Sequence, residues 1–187
     1  MNHKLRTHIE EIVTLTDDEF DYVQENFITK KFKKHQFLIQ EGEQVKYSYF
    51  VVSGLLKLVH TDDSGKQHIV SFAMENWWES DYLAYFNQSS ATMSLECLED
   101  TEVCCFTLKN YQTLCKEFQK MQYFFLQKAN YGHIGSQRRI LSLLTSNAQE
   151  RYEQLLKEYP ALFQRVPKSL LAAYLGVSRE TLSRFSQ

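Results

Sequence analysis

Residues 168–185 read Lys-Ser-Leu-Leu-Ala-Ala-Tyr-Leu-Gly-Val-Ser-Arg-Glu-Thr-Leu-Ser-Arg-Phe. Two short helices crossing near a right angle need these residue types in this order. Ala172 is small where the second helix crosses the first, and Gly176 can take the positive φ of a tight turn. Leu171, Leu175, Val177, Leu182 and Phe185 supply a shared apolar core, and Ser178 stands where the second helix needs its cap. The stretch is predicted to be a helix-turn-helix.

What the second helix leaves outward is polar: Arg179, Glu180, Thr181, Ser183 and Arg184, with Ser178 at its start. An arginine can grip guanine O6 and N7 with two hydrogen bonds, a glutamate can accept from cytosine N4, and a hydroxyl can reach phosphate or base. These six residues are the candidate DNA contacts. An ordinary solvated helix face is the bland alternative, disfavoured by two arginines flanking a glutamate near the helix start.

Upstream, the texture changes twice. Residues 7–29 read as helical, with Thr16 followed by Asp17, Asp18 and Glu19 as a start signal and Phe20, Val23 and Phe27 recurring at helical spacing. From Lys30, short runs rich in Phe, Tyr, Val and Ile alternate with turns: Phe37–Ile39, Tyr47–Val52, Leu55–Val59, Gln67–Phe72 and Glu102–Leu108. Such spacing predicts an antiparallel sandwich or barrel. After Leu108 a helical stripe follows, with Met121, Phe125, Ala129, Gly132, Ser136, Ile140 and Leu143 three or four apart. Each glycine costs about 1 kcal/mol against alanine inside a helix. Close approach of a second copy would compensate; packing on the chain's own barrel is the other reading. Residues 147–159 form a further helix, with Asn147 as cap, Glu150 three residues on, and Tyr152, Leu155 and Leu156 as its inner face. Pro160 ends it.

The 187 residues are 43% hydrophobic and 14% aromatic, a globular composition. A polar start and the absence of an apolar run near the roughly 18 residues of a membrane span predict a soluble, cytosolic protein. Formal charge is −2, but residues 147–187 carry +2, a mildly basic piece on an acidic body. Cys97, Cys104, Cys105 and Cys115 form no C-x-x-C pair and read as buried thiols. Neither a nucleophile–base pair nor a metal-ligand spacing appears, so an enzyme is the most distant reading and no cofactor is expected.

Ser178–Arg184, preceded by Arg165-Val166-Pro167 and Leu175-Gly176-Val177, resembles the DNA-reading segment of the Crp/Fnr family of bacterial transcription regulators. Leu38–Glu43, Tyr49–Gly54 and Ser64-Gly65-Lys66 resemble the opening strands of that family's cyclic-nucleotide-binding-like β-roll. The resemblance implies an α+β fold. An antiparallel β-roll of jelly-roll type with flanking helices forms an effector domain (1–117), followed by a dimerisation helix (118–146) and a DNA-binding domain (147–187). It also implies a homodimer on palindromic double-stranded DNA, with Arg179, Glu180 and Arg184 at the base-contacting positions and RNA polymerase as a partner.

One segment departs from the family. Its cyclic-nucleotide binders carry Gly-Glu-Leu and then Arg-Ser or Arg-Thr; this chain has Ser80-Asp81-Tyr82 and Ala91-Thr92. Between Lys66 and Lys109 there is no Lys or Arg, while Glu75, Glu79, Asp81, Glu96, Glu99, Asp100 and Glu102 are acidic. A buried cyclic phosphate needs a cation or a nest of backbone donors. Cyclic AMP in its usual pose is therefore not expected. Ser80, Asp81, Tyr82, Ala91 and Thr92 remain candidate effector residues, with Asp81 for a ligand hydroxyl and Thr92 for a polar group. Trp77, Trp78, Tyr82, Tyr85 and Phe86 either fill the pocket themselves or receive a small uncharged effector. The family's iron–sulfur branch uses an N-terminal cysteine group, whereas the first cysteine here is Cys97. A competing reading is a ligand-binding or protein-interaction module without sequence-specific DNA binding, favoured by the three residues that follow Arg184.

Overall fold

The computed structural model describes residues 3–185. Their packing divides the chain into two units, one of residues 1–60 and 71–129, the other of 61–70 and 130–187.

The first unit opens with α1 (His3–Glu10) and α2 (Asp17–Glu25) where a single helix was expected. Thr16 explains the break. Its extended backbone (φ −71°, ψ 169°) lets its hydroxyl accept from the Glu19 N–H while the Glu19 carboxylate accepts from the Thr16 N–H, a complete capping box. At the far end helix gives way to strand at Ile28, which pairs with Cys105. Among the described residues there are eight strands, β1 (Ile28–Phe32), β2 (Phe37–Ile39), β3 (Ser48–Ser53), β4 (Leu56–Thr61), β5 (Gln67–Ala73), β6 (Trp78–Glu79), β7 (Ser94–Cys97) and β8 (Thr101–Phe106), of which β2, β3, β4, β5 and β8 fall on the expected runs and β1 begins in the stretch expected to be helical. The short pieces β6 and β7, and the helix α3 (Tyr82–Asn87), carry no clear sequence period. They form two four-stranded sheets in the orders β1-β8-β3-β6 and β2-β7-β4-β5, with antiparallel register throughout β1·β8, β3·β8 and β4·β7. Gly54 follows β3 at φ +105°, and a Cβ there would sit 2.7 Å from Thr101 Cα and 2.8 Å from Asp100 O. Only glycine fits.

The core between these elements is aromatic. Trp78 packs against Phe50, Phe106 and Phe124 at centroid distances of 5.1, 5.5 and 6.2 Å, and its Nε1 donates to His8 Nε2 at 3.1 Å. Cys97, Cys104 and Cys105 are buried and Cys115 half-buried. Burial pushes the Cys97 thiol up to about 11 and Cys105 up to about 12, so these cysteines behave as small hydrophobes.

After β8 come α4 (Leu108–Glu117) and α5 (Gln119–Thr145), separated by Phe118 in an extended conformation (φ −133°); α5 lies within the helix expected over 118–146. In the first unit α5 buries Met121, Phe124 and Phe125. Beyond them the stripe lies in the open: Ala129, Gly132, Ser136, Ile140 and Leu143 are exposed, and so are the apolar Leu126, Tyr131, Ile134, Leu141 and Leu144, the last by 78%. A Cβ added at Gly132 or Gly135 would meet nothing within 4 Å.

In the second unit, α6 (Ala148–Glu158) starts on the Asn147–Glu150 capping box. It buries Tyr152 and Leu155, whereas Leu156, expected on the inner face, is exposed. Pro160 opens α7 (Pro160–Arg165) as well as closing α6. Then come α8 (Lys168–Leu175) and α9 (Arg179–Phe185).

Two buried titratable groups in the first unit give stability opposite pH slopes. His8, lying 4.8 Å from Phe50, has its pKa lowered to about 4 by burial, with Lys128 adding to the effect. Its Nδ1 lies 3.3 Å from Glu11 Oε2 but makes no hydrogen bond, so desolvation prevails. Unfolding raises its proton affinity, so stability present above pH 6.5 is lost as pH falls towards 4. Glu79 is raised to about 7 by burial, against bonds from the Ser71 hydroxyl and the Ser80 N–H. Its carboxylate therefore costs stability increasingly from pH 4.5 to 7. Each effect has an upper bound of about 3 kcal/mol. Urea unfolding of His8→Leu should show less acid sensitivity than wild type between pH 6.5 and 4, and Glu79→Gln should gain stability over wild type at pH 8 but not at pH 4.5.

Candidate functional site

The helix-turn-helix forms as its residue types require. Gly176 ends α8 in the left-handed region (φ +71°, ψ 34°). Its N–H donates to Ala173 O at 3.2 Å, and the Val177 N–H donates to Ala172 O at 2.9 Å. Leu171, Ala172, Leu175 and Leu182 are buried where the helices meet; Val177 and Phe185 are half-buried, with the Phe185 ring 5.7 Å from that of Tyr152. The Ser178 hydroxyl accepts from the Thr181 N–H at 3.2 Å, capping α9.

Arg179, Glu180, Arg184 and Ser178 are exposed, while Thr181 and Ser183 are half-buried. The hydroxyls of Ser178 and Thr181 lie 3.2 Å apart, and Arg184 Nη2 donates to Thr181 Oγ1 at 3.2 Å. Thr181 thus holds the Arg184 guanidinium against the helix. Glu180 is kept below the usual carboxylate range by its own backbone N–H, the Ser178 hydroxyl and the nearby Arg179. The face presents two guanidiniums and one carboxylate, donors and an acceptor of the kind that read base edges.

The second group of expected residues comes together in the first unit, around a carboxylate. Asp81 is fully buried and caps α3, with Oδ1 accepting from the Ala84 N–H at 3.1 Å. Oδ2 accepts from the Thr92 N–H at 2.7 Å, the Thr92 hydroxyl at 3.0 Å and the Met93 N–H at 3.2 Å. The Ser80 hydroxyl donates to Tyr47 O at 3.0 Å, and Ala91 is buried. The Tyr82 hydroxyl is bonded to the Ser48 side chain while its ring stacks on that of Phe86, 6.1 Å away. Asp81 and Thr92, proposed from sequence to receive ligand groups, instead bind each other and the backbone. Trp78 and Tyr85 belong to the core; Phe86 and Leu83 are exposed. The open cleft lined by Lys31, Phe32, Gln36, Phe37, Leu38, Gln40 and Glu43 contains none of these residues.

Sequence reading missed two residues at the end of α8. Arg139 on α5 donates to Tyr174 O at 3.1 Å, and Arg151 on α6 donates twice to Leu175 O, at 3.0 and 3.1 Å. Neither arginine stands in a motif, and only the folded chain brings them to those carbonyls.

Residues 29–118 match the cyclic nucleotide-binding domain family. The chain is 26% identical over 163 residues to the transcriptional activator protein Anr of Pseudomonas protegens, covering 81% of this chain and 66% of that one. It is 26% identical over 186 residues to the anaerobic regulatory protein of Haemophilus influenzae, covering 91% and 70%. The chain thus spans about two thirds of the length of these relatives. Among solved structures, FixK2 from Bradyrhizobium japonicum superposes with a TM-score of 0.71 at 19% identity, covering 86% of this chain and 82% of that one. These findings support a transcription regulator of the Crp/Fnr type.

Two substitutions test these local structures by thermal unfolding of the full chain. Gly176→Ala meets no neighbour closer than Arg151 Nη2 at 3.9 Å, so only the left-handed backbone is penalised, by about 1–2 kcal/mol. Asp81→Ala leaves the N–H groups of Ala84, Thr92 and Met93 without their acceptor and should cost about 3 kcal/mol.

Proposed function

We propose that this chain is a homodimer that binds double-stranded DNA at a palindromic site through α9 and thereby regulates transcription. The observation that carries the reading is the α8–Gly176–α9 turn with Arg179, Glu180 and Arg184 side by side on its open face. Ser178 and Thr181 shape the helix start and hold Arg184, and Ser183 stands beside them. The twofold partner is supported by α5, whose apolar stripe from Leu126 to Leu144 is exposed and whose Gly132 and Gly135 leave room for close approach. Two recognition helices then meet successive major grooves about one DNA turn apart.

Control by an effector other than cyclic AMP fits the first unit. Residues 67–108 offer no cation, and Asp81 already occupies the backbone donors of the segment at Thr92 and Met93. An anionic ligand would meet a buried carboxylate there, at a cost of several kcal/mol. Ligand control requires unequal binding to two dimer geometries. The same reading includes contact with RNA polymerase and a cytoplasmic location, supported by the similarity to named transcriptional activators.

Selection of bound sequences from random duplex DNA by the purified chain gives the operator. On it, Arg179→Ala and Arg184→Ala should each lose discrimination at one base pair of each half-site, worth about 1–3 kcal/mol. An unchanged binding profile removes the assignment. Ile140→Glu with Leu144→Glu should convert the dimer to a monomer in sedimentation; a dimer that persists places the seam elsewhere.

A further inference from the structure

A helix ends with four carbonyls that have no partner within it. In α8 these belong to Ala172, Ala173, Tyr174 and Leu175. The turn supplies donors for two, from Val177 and Gly176. The other two are taken by side chains from different helices. Arg139 of α5 gives Nη2 to Tyr174 O, and the same nitrogen to Ile69 O at 3.2 Å, while its Cζ lies over the Tyr174 ring, 3.6 Å from the centroid. Arg151 of α6 gives Nε and Nη2 to Leu175 O and Nη1 to Ser146 O at 2.6 Å, just past the end of α5.

This is an expensive arrangement for mere stability. Both side chains are half-buried, and burial together with the neighbouring Arg151 charge lowers the proton affinity of Arg139. It has a geometric consequence. The negative end of α8 is bonded at consecutive residues to α5 and α6, and only three residues separate Leu175 from the start of α9. The direction in which the DNA-reading helix leaves α5 is therefore set by two guanidiniums. A planar fork with fixed donors suits that task better than an ammonium.

We propose that Arg139 and Arg151 are positioning residues for DNA reading: they fix the angle between α5 and α9, and hence the separation of the two recognition helices in the dimer. This rests on the function proposed above. Because each acts on geometry rather than on bases, its loss should spare binding of one recognition helix to one half-site and damage simultaneous engagement of both.

The test compares the full chain carrying Arg139→Gln or Arg151→Gln with wild type, on the selected palindrome and on a duplex bearing a single half-site. Half-site affinity should stay within about twofold, while palindrome affinity falls by about a hundredfold as the two engagements cease to be simultaneous. Arg151→Lys, which keeps the charge and one donor direction, should recover part of the palindrome affinity. If a glutamine variant melts below the assay temperature, the lysine variants are read by the same palindrome to half-site ratio. An unchanged ratio overturns the proposal, whether both affinities hold or both fall together, the latter being the result expected of arginines that touch phosphate directly. A wild-type chain that selects no sequence at all overturns the DNA-binding reading itself. That outcome is distinct from variants that match wild type on a site wild type does bind.

Discussion

Four carbonyl oxygens at the end of α8 decide how the second unit is built. Helical geometry leaves them without donors, and the partners they find come from three directions: the turn at Gly176 and Val177, the α5 arginine and the α6 arginine. The left-handed backbone of Gly176 is what turns the first two donors inward. Once these bonds are made, Leu171, Leu175 and Leu182 close over one another and α9 has a single way to lie. The exposed Arg179, Glu180 and Arg184 inherit their common face from that packing.

The first unit rests on a different economy of polar groups. Its roll buries rings around Trp78, and among the described residues the buried side-chain polar atoms other than His8 Nδ1 have hydrogen-bond partners. Asp81 is the clearest instance. A fully buried carboxylate with no cation in the surrounding sequence is tolerable because four neutral donors converge on it, three of them on one oxygen.

Between these two packing patterns runs α5, apolar on a face that the chain itself does not cover. Its first turns are held by Met121, Phe124 and Phe125, whereas the stripe from Leu126 onward and the open ground at Gly132 and Gly135 are left to solvent in the single chain. Glycines inside a helix and exposed leucines are both unfavourable in an isolated subunit. Both become favourable against a second copy.

Periodicity and caps carried much of this into view beforehand. The strand punctuation from Phe37 to Phe72, the capping boxes at Thr16 and Asn147, and the alanine–glycine–serine spacing of the helix-turn-helix are local effects, set by backbone conformations that few residues tolerate, and they are legible as such. The strands β6 and β7 and the break at Phe118 are not, since two- and four-residue strands exist only through their partners and Phe118 breaks the helix without proline or glycine. The roles of Asp81, Arg139 and Arg151 were equally hidden. A carboxylate in a line of acidic residues, or an arginine on a helix, has the same local signature whether it faces water or a bare carbonyl. The amino-acid sequence by itself determined where the chain can bend, cap and bury a face; which distant polar group each long side chain would reach was decided only when folding brought the helix ends together, because an unpaired hydrogen-bonding group takes its partner in space and not along the chain.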